Sequence, residues 1–338
     1  MMTRNCIMYL VVSCWFVMGA NSQDLHYSLF DMSPLNLNPA NVGQFDGNYR
    51  FVGNHRHQWK AVTLPYSTYS AAIDANDILN CNNVHTGLQI NQDRAGDSRF
   101  NTFMVNTSVG YSKSINADSS LVLSAALLPG ITNRSIDYSA LRFDAQYNGW
   151  SYNSALDNTE NFQRESRTYF NLGSGFLAQY KLDDKKSFRL GVGLFNLTRP
   201  KQSFFNEDAI KLDMRWVVHG SADLLLSEKI AVIPGFLLMG QGTYRETLFG
   251  SKIRYLLQDM RGVYRALYGG AFYRNKDAGY LMLGMDYDNW KFGLSYDINL
   301  SSLRPASNGR GALELALIYV LKIYDPKIIK RRICRDFM

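Results

Sequence analysis

The chain has 338 residues, 46% of them hydrophobic, 19% charged and 13% aromatic, with a formal net charge of +7. This balance excludes a disordered chain, which would lack the apolar residues of a core. Beyond the N-terminus no stretch approaches the roughly 18 consecutive apolar residues of a membrane-spanning helix, which excludes a polytopic helical membrane protein. A soluble β-rich protein and a membrane β-barrel remain, because a barrel alternates apolar with polar residues along its strands.

The first 22 residues are predicted to be a secretory signal peptide. Arg4 precedes an almost unbroken apolar run that ends at Ala20, and small residues at Ala20 and Ser22 have a spacing that signal peptidase accepts. The mature chain would begin near Gln23. Cleavage at a lipoprotein-like box, with lipidation of Cys14, stays open as an alternative. We expect no nucleic-acid partner for an exported chain, and we interpret its basic C-terminus as a solvated tail.

Two cysteines, Cys81 and Cys334, remain in the mature chain. Two isolated thiols form neither a disulfide framework nor a clustered zinc site. His55 and His57 would lie on one face of a strand, but no third metal ligand stands near them in the sequence. Since no nucleophile or zinc-binding motif of a hydrolase occurs, we predict no catalytic residue, no metal and no cofactor.

Alternation of apolar and polar side chains dominates the mature chain and predicts β-strands. Between Lys291 and Leu300 every even position is apolar and every odd position is polar or glycine. In Leu212–Leu226, a run longer than most soluble strands, the even positions are apolar or small, and Asp213, Arg215, His219, Ser221 and Asp223 lie between them. About 14 such segments occur, and an even number is typical of bacterial barrels. In chain order they lie near Arg50–Asn54, Thr68–Asp74, Val84–Asn91, Phe103–Ser114, Leu121–Thr132, Thr168–Leu182, Phe188–Thr198, Leu212–Leu226, Lys229–Gly242, Glu246–Gln258, Ala266–Asn275, Ala278–Asp288, Lys291–Leu300 and Ala312–Lys322.

The connections between these segments come in two sizes, an asymmetry typical of outer-membrane barrels. Asp183–Lys186, Asn275–Asp277 and Asp288–Asn289 are tight turns, whereas Ser135–Arg167 and Arg199–Ile210 are long and polar. We therefore predict an all-β fold, a transmembrane antiparallel β-barrel of about 14 strands in a single domain. Both termini are predicted to be periplasmic, with the long loops outside. The predicted organisation is a signal peptide over 1–22, an N-terminal periplasmic segment over 23–48, the barrel over 49–322 and a basic tail over 323–338.

If the apolar face of each strand meets lipid, the other face points into the barrel. A charge facing lipid at the bilayer centre would cost about 2–4 kcal/mol for Arg or Lys. The residues predicted to face inward, where they could coat a pore or pair into a plug, are Arg189, Asp213, Arg215, Asp223, Asp297, Asn299 and Glu314. The tyrosines predicted to form aromatic girdles at the membrane interfaces are Tyr264, Tyr268, Tyr273, Tyr280, Tyr287 and Tyr319.

Two stretches of the chain carry distinctive motifs. The first contains Gln23-Asp24-Leu25-His26-Tyr27-Ser28-Leu29-Phe30, Pro34-Leu35-Asn36-Leu37-Asn38-Pro39-Ala40, Gly43, Gly47-Asn48-Tyr49-Arg50, Arg56, Gln58-Trp59, Pro65-Tyr66, Thr68-Tyr69-Ser70 and Asp74. The second contains Ser295-Tyr296-Asp297-Ile298-Asn299, Gly309-Arg310-Gly311-Ala312 and Glu314. Together they resemble the PorP/SprF family, outer-membrane proteins of the type IX secretion system in Bacteroidetes. The chain departs from the family's Cys-Pro-Arg-Phe ending, because Arg335 follows Cys334.

The resemblance implies a barrel that works beside the secretion machinery and is not an enzyme. Family members support secretion or surface attachment of large surface proteins such as gliding adhesins. The implied partners are components of the machinery, a large secreted protein with a C-terminal secretion domain, and outer-membrane lipid. The residues of the motifs that become candidates for partner binding are Phe30, Pro34, Asn38, Pro39, Gly43, Arg50, Arg56, Gln58, Trp59, Tyr66, Asp297, Asn299, Gly309, Gly311 and Glu314.

Two roles for the N-terminal motif stay open, packing of the barrel and docking of a partner. Pro34 and Asn38-Pro39 favour extended or turn backbone without helix, and Gly43 permits a tight turn. We expect this segment to thread or cap the periplasmic mouth before Tyr49 opens the first strand.

The competing function is a diffusion porin or a specific uptake channel of the outer membrane. An open eyelet lined by Arg189, Arg215 and Asp223 would favour the porin. A plugged lumen would favour the secretion partner.

Overall fold

The computed structural model describes residues 25–58, 65–77, 83–96, 98–157, 164–204, 210–301 and 309–323. Within them, 14 antiparallel strands close into one barrel. The strands are β1 (Tyr49–Gln58), β2 (Tyr66–Ala75), β3 (Val84–Ala95), β4 (Phe100–Ser114), β5 (Leu121–Ser135), β6 (Ser166–Asp183), β7 (Lys186–Phe195), β8 (Arg215–Leu225), β9 (Ile230–Gln241), β10 (Tyr244–Met260), β11 (Val263–Arg274), β12 (Ala278–Tyr287), β13 (Trp290–Asn299) and β14 (Arg310–Leu321). The predicted fold class is confirmed.

The barrel closes where the first strand pairs with the last. β1 lies between β2 and β14, and its register on β14 runs from the Tyr49–Leu321 pair to the Gln58–Ala312 pair. Every other strand pairs with its two neighbours in sequence. Closure leaves no sheet edge with unpaired backbone groups, which is what allows a sheet to stand in a membrane.

Side chains alternate between the outer wall and the interior, as the sequence pattern predicts. Leu294 and Tyr296 on β13 are 41% and 44% exposed, whereas Ser295 between them is 1% exposed. The exposed apolar face is the one that meets lipid.

The connections at the two ends of the barrel differ in length. The long connections β5–β6 and β7–β8 lie at the end opposite the two chain ends, and the tight turns 183–186 and 288–289 lie at the same end as residues 48 and 322. The short turn 275–277 lies at the long-loop end, so short turns are not confined to one side. Within the described residues, no helix has the length and hydrophobicity needed to cross a bilayer.

Three of the tyrosines predicted for the girdles face the interior instead. Tyr280 is 2% exposed and stacks on Phe272 with ring centroids 5.0 Å apart, and the Tyr268 hydroxyl donates to Asp286. Tyr264 lies four positions before Tyr268 on β11 and therefore on the same, inward face of the strand. The prediction was wrong for these three residues because it used distance from the strand end and ignored the face. The remaining three are outward: Tyr273, Tyr287 and Tyr319.

Asp213 also differs from the prediction. It precedes β8, where it pairs with Arg199 at 3.3 Å, and its side chain is half exposed. Since β8 begins only at Arg215, the alternation of the strand does not extend to Asp213.

The N-terminal segment before β1 contains short helical turns, in contrast to the prediction of no helix. A one-turn α-helix spans Pro34–Leu37, between single 3-10 turns at Phe30–Met32 and Pro39–Asn41. Proline begins two of these turns, at the position where a missing backbone N–H costs no hydrogen bond. Asn38 caps the third turn by accepting a hydrogen bond from the Ala40 N–H at 2.9 Å.

Candidate functional site

The barrel interior is filled by the chain's own N-terminal segment. Residues 27–42, here called the plug, are buried almost throughout, and Leu29, Leu35 and Val42 are each 1% exposed. From its sequence this segment is expected to thread or cap the mouth of the barrel, whereas the structure places it within the lumen. Two cavities beside the plug hold only about 30 Å³ each, about the volume of one water molecule.

A cluster of charges on one side of the lumen surrounds the start of the plug. We call it the Ser28 cluster, and it consists of Ser28 with the wall residues Arg56, Glu246, Arg274, Asp297 and Glu314. The five wall residues are at most 5% exposed. They come from β1, β10, β11, β13 and β14, so residues far apart in sequence meet here.

The Glu314 side chain binds main-chain N–H groups of the plug. Its two carboxylate oxygens accept hydrogen bonds from Ser28 N at 2.7 Å and from Leu29 N at 2.8 Å, and the same carboxylate pairs with Arg56. Removing one partner from such a buried charged contact costs about 3–5 kcal/mol, because the other charge stays buried without compensation.

The Ser28 hydroxyl connects the remaining charges of the cluster. It donates to Asp297 at 2.8 Å and accepts from Arg56 and from Arg274, each at 2.8 Å. Arg274 also forms an ion pair with Glu246 at 3.3 Å. The wall charges are thus paired with one another as well as with the plug.

A second charged contact holds the end of the plug. Arg50 donates to both oxygens of Asp74, at 2.9 and 2.7 Å, and also donates to the Asn41 carbonyl at 2.9 Å. Asp74 in turn accepts from the Gly43 N–H at 2.9 Å. Gly43 has φ +69°, and a side chain there would collide with His85, so glycine is required both for the turn and for the space.

On the opposite wall, glycines and not charged residues face the plug. Asn38 donates to the Phe176 carbonyl at 2.9 Å and lies 3.1 Å from His219 Nε2. A Cβ at Gly175 would overlap the Asn38 side-chain oxygen, and one at Gly191 would come within 2.6 Å of the Asn38 amide nitrogen. We call this part of the wall, on β6 and β7, the glycine recess.

Apolar side chains of the plug fill the rest of the lumen. Phe30 contacts Phe272 edge to face, with ring centroids 5.9 Å apart. Met32 lies against Gly293 on β13, where a larger residue would have no room. Arg215 donates to the Leu25 and Asn36 carbonyls and lies 4.1 Å above the Phe195 ring.

The structure brings most of the motif residues into these contacts. Residues at the Ser28 cluster or beside it are Arg56, Gln58, Asp297 and Glu314, with Gly311 packed against the Asp297 backbone. Residues of the plug and of its second charged contact are Phe30, Pro34, Asn38, Pro39, Gly43 and Arg50.

Three predicted residues stand apart from the plug contacts. Asn299 accepts from Ser301 at the end of β13, Gly309 lies in the turn before β14, and Tyr66 begins β2, all at the long-loop end. Trp59 lies outside the described residues, as do Cys81 and Cys334.

Several residues of the site were not predicted from the sequence. Arg274 and Glu246 belong to the Ser28 cluster, and Gly175 and Gly191 form the glycine recess. Ser28 lies within the N-terminal motif but is not among the candidate residues. The alternation of inward and outward positions along β10 and β11 could have predicted that the two charged residues, Glu246 and Arg274, face the lumen. Nothing in the sequence marks which inward glycines face a plug.

The three charged residues predicted to line an eyelet lie in two different places, one beside the plug and the other at a cavity, here called the vestibule. Arg215 contacts the plug, whereas Arg189 and Asp223 line a cavity of about 320 Å³ at the short-turn end. There Asp223 pairs with Arg254 at 2.6 Å. These three predicted residues therefore do not form one eyelet.

His26, just before the plug, faces one of the small lumen cavities. Burial lowers the pKa of His26 to about 4, with Glu246 opposing that shift and Arg56 and Arg274 adding to it. The ring is therefore neutral near neutral pH. In the described part of the chain, His, Cys, Asp and Glu side chains form no group of three or more that could hold a metal ion.

Solved barrels of similar architecture include two toluene transporters. TbuX of Ralstonia pickettii has a TM-score of 0.53 at 11% identity, covering 86% of this chain and 94% of its own, and TodX of Pseudomonas putida has a TM-score of 0.50 at 10% identity, covering 85% and 92%. The CymD monoaromatic hydrocarbon channel has a TM-score of 0.51 at 10% identity, covering 87% and 94%. At such low identity the likeness concerns the fold alone. No match was found among curated protein sequences.

Residues 19–319 match the family described as type IX secretion system membrane protein PorP/SprF. That range includes the plug, both charged contacts and nearly all of the barrel. The chain is thus a β-barrel of the outer membrane, and it belongs to the PorP/SprF family of type IX secretion system membrane proteins.

Proposed function

We propose that this barrel is a closed partner of the type IX secretion machinery that supports the secretion or surface attachment of large surface proteins, such as gliding adhesins. In this role it receives a cargo protein that carries a C-terminal secretion domain, and it performs no enzymatic reaction. Both termini lie in the periplasm, and the β5–β6 and β7–β8 loops lie outside.

The plugged lumen is the observation that carries the proposal. The plug fills the cross-section between the Ser28 cluster and the glycine recess, and two cavities beside it, in the part of the chain that the structure describes, hold about 30 Å³ each. A porin needs a water-filled path through the same space. A barrel whose lumen is occupied by its own chain is better suited to binding than to diffusion.

The burial of the motif residues separates the two roles considered for them. Phe30 is 8% exposed, Asn38 is fully buried and Glu314 is 1% exposed, so a partner cannot reach them while the plug is in place. This supports a packing role for the motif. Partners then bind the surfaces at the barrel ends, where the loops and the vestibule are exposed.

Deletion of the gene tests the function. We expect the other outer-membrane proteins to remain normal, while one or a few large surface proteins disappear from the cell surface and are released, degraded or held in the periplasm. Complementation with the wild-type chain should restore their display. Normal display in the deletion strain would contradict the proposal.

The alternative function, a diffusion porin or uptake channel, is tested with the purified barrel in liposomes. The fold shared with hydrocarbon channels makes this measurement informative. We expect slow flux of small solutes through the full chain. Rapid flux, together with normal surface display in the deletion strain, would favour the channel.

Orientation is tested by proteolysis of intact cells. Protease added outside should cleave the connection between β5 and β6 and spare the C-terminal tail. Cleavage of the tail before the loop would invert the proposed topology.

A further inference from the structure

A groove of about 810 Å³ runs along the outer wall where the barrel closes. Its floor is formed by Gly53 and Ala71, which are cross-strand partners on β1 and β2. Tyr69 and Ile90 line one side of the groove, and Leu294 and Leu315 line the other side. The volume falls within the roughly 300–1,000 Å³ of sites that bind small apolar ligands.

Two histidines on the outer wall are polar where an apolar residue is expected. His55 and His57 share the outward face of β1 with Gly53, and His55 lies opposite Leu315 on β14. The His55 ring stacks on Tyr69 with centroids 4.5 Å apart, and its Nε2 has no hydrogen-bond partner within the described structure. A polar atom facing hydrocarbon is costly unless something pairs with it.

The polar rim of the groove lies at the long-loop end. Gln92 lines the groove and lies 3.1 Å from the Asn101 side chain, and Arg94 follows on the same outward face of β3. Arg94 is exposed, and its Nε and Nη2 atoms lie 3.3 and 3.2 Å from the Gln92 side-chain amide, which leaves Nη1 facing outward for a ligand. An arginine at the membrane interface is well placed to bind phosphate, because its planar fork matches two phosphate oxygens.

We propose that this groove binds a phosphorylated glycolipid of the outer leaflet. One acyl chain lies on Gly53 and Ala71, polar groups of the lipid meet the two histidines, and the phosphate binds Arg94. The choice of the outer leaflet rests on the proposed orientation, with the long loops outside. The binding itself does not depend on secretion, so its test is separate from that of the proposed function.

Gly53 allows the groove to be filled with little disturbance of the barrel. A Cβ at Gly53 would have no atom within 4 Å, so Gly53→Leu occupies the groove and leaves the wall unstrained. Gly269 on β11 is the matched control, because it is also an outward glycine with no atom within 4 Å of an added Cβ and lies outside the groove. Ala71→Leu is a second groove-filling variant in case Gly53→Leu fails to insert.

The test offers equimolar lipopolysaccharide and phosphatidylglycerol to the purified full chain and measures, by mass spectrometry, the lipid retained after washing. The wild type and Gly269→Leu should retain lipopolysaccharide in preference to phosphatidylglycerol. Gly53→Leu should retain roughly tenfold less, the effect of displacing a few buried methylenes. Arg94→Gln should lower the preference for lipopolysaccharide.

Three results would overturn the proposal. The first is that Gly53→Leu, or Ala71→Leu in its place, retains as much lipopolysaccharide as Gly269→Leu. The second is that the wild type retains phosphatidylglycerol as well as or better than lipopolysaccharide. The third is that the wild type retains no lipid at all. The heat-modifiable gel mobility of each variant serves as the check that its barrel is folded.

Discussion

The two sides of the lumen bind the same plug by opposite means. On the β13–β14–β1 side, charged residues extend from the wall to the plug backbone, as Glu314 does toward Ser28 N and Leu29 N. On the β6–β7 side, the wall has no side chain at Gly175 and Gly191, and the plug extends toward the wall through Asn38. Charged hydrogen bonds hold the plug on the first side, and the space left by glycines admits it on the second. Different substitutions should therefore weaken the two contacts.

Glu314→Ala should produce the largest effect on the charged side. The Ser28 and Leu29 N–H groups lose their acceptor and Arg56 loses a partner, a destabilisation of about 3–5 kcal/mol. We expect the folded barrel band to be lost at a lower temperature in gels of unheated samples. Glu228→Ala, in the exposed turn between β8 and β9, is the matched control and should change stability by less than about 0.5 kcal/mol. Similar melting of both variants would show that the charged side does not hold the plug.

Gly175→Ala should produce a smaller loss on the opposite side. The added methyl group overlaps the Asn38 side chain, and overpacking of this kind costs about 1–3 kcal/mol. The same substitution at Gly269, where an added Cβ has no atom within 4 Å, should be close to neutral. Protease sensitivity of the N-terminal segment in the folded barrel measures the difference. Equal sensitivity of the two variants would mean that the recess is not needed.

Acidification should weaken the charged side, where His26 lies. The groups that act on His26 are Glu246 and Asp277, which favour protonation, and Arg56 and Arg274, which oppose it. His26 titrates near 6.5 when unfolded and near 4 when folded. Stability from its neutral ring is therefore present above pH 6.5 and lost as the pH falls toward 4.

We expect the N-terminal segment to become more sensitive to an acid-active protease over that range, by an amount that His26→Gln reduces. An unchanged pH profile in His26→Gln would assign the acid effect to other groups.

The strands were predictable because each one carries its own pattern. Leu294, Ser295 and Tyr296 alternate between lipid and lumen, and a period of two is visible in any single segment. β1 was predicted too short, because His55 and His57 are polar on its outer face and break the alternation. The tyrosines at 268 and 280 were misplaced because position along a strand was considered without its face.

The plug was not predictable, because its contacts join residues far apart in the chain. Ser28 and Glu314 are 286 positions apart, and no local pattern in either segment indicates the other. The family motif marked many of these residues, among them Asn38 and Arg56, without indicating that they meet inside the barrel. Their burial explains the motif as the joint requirement of a plug and its wall.

The most direct test of the closed lumen is a disulfide between the plug and the wall. A Cβ at Gly110 on β4 would lie 2.5 Å from Val42 Cγ1, so cysteines at 42 and 110 are close enough to be joined. In a chain with Cys81 and Cys334 replaced by serine, V42C with G110C should cross-link in intact outer membranes upon mild oxidation, whereas V42C with G269C should not. Failure of the first pair to cross-link in a folded barrel would contradict the account that the plug occupies the lumen.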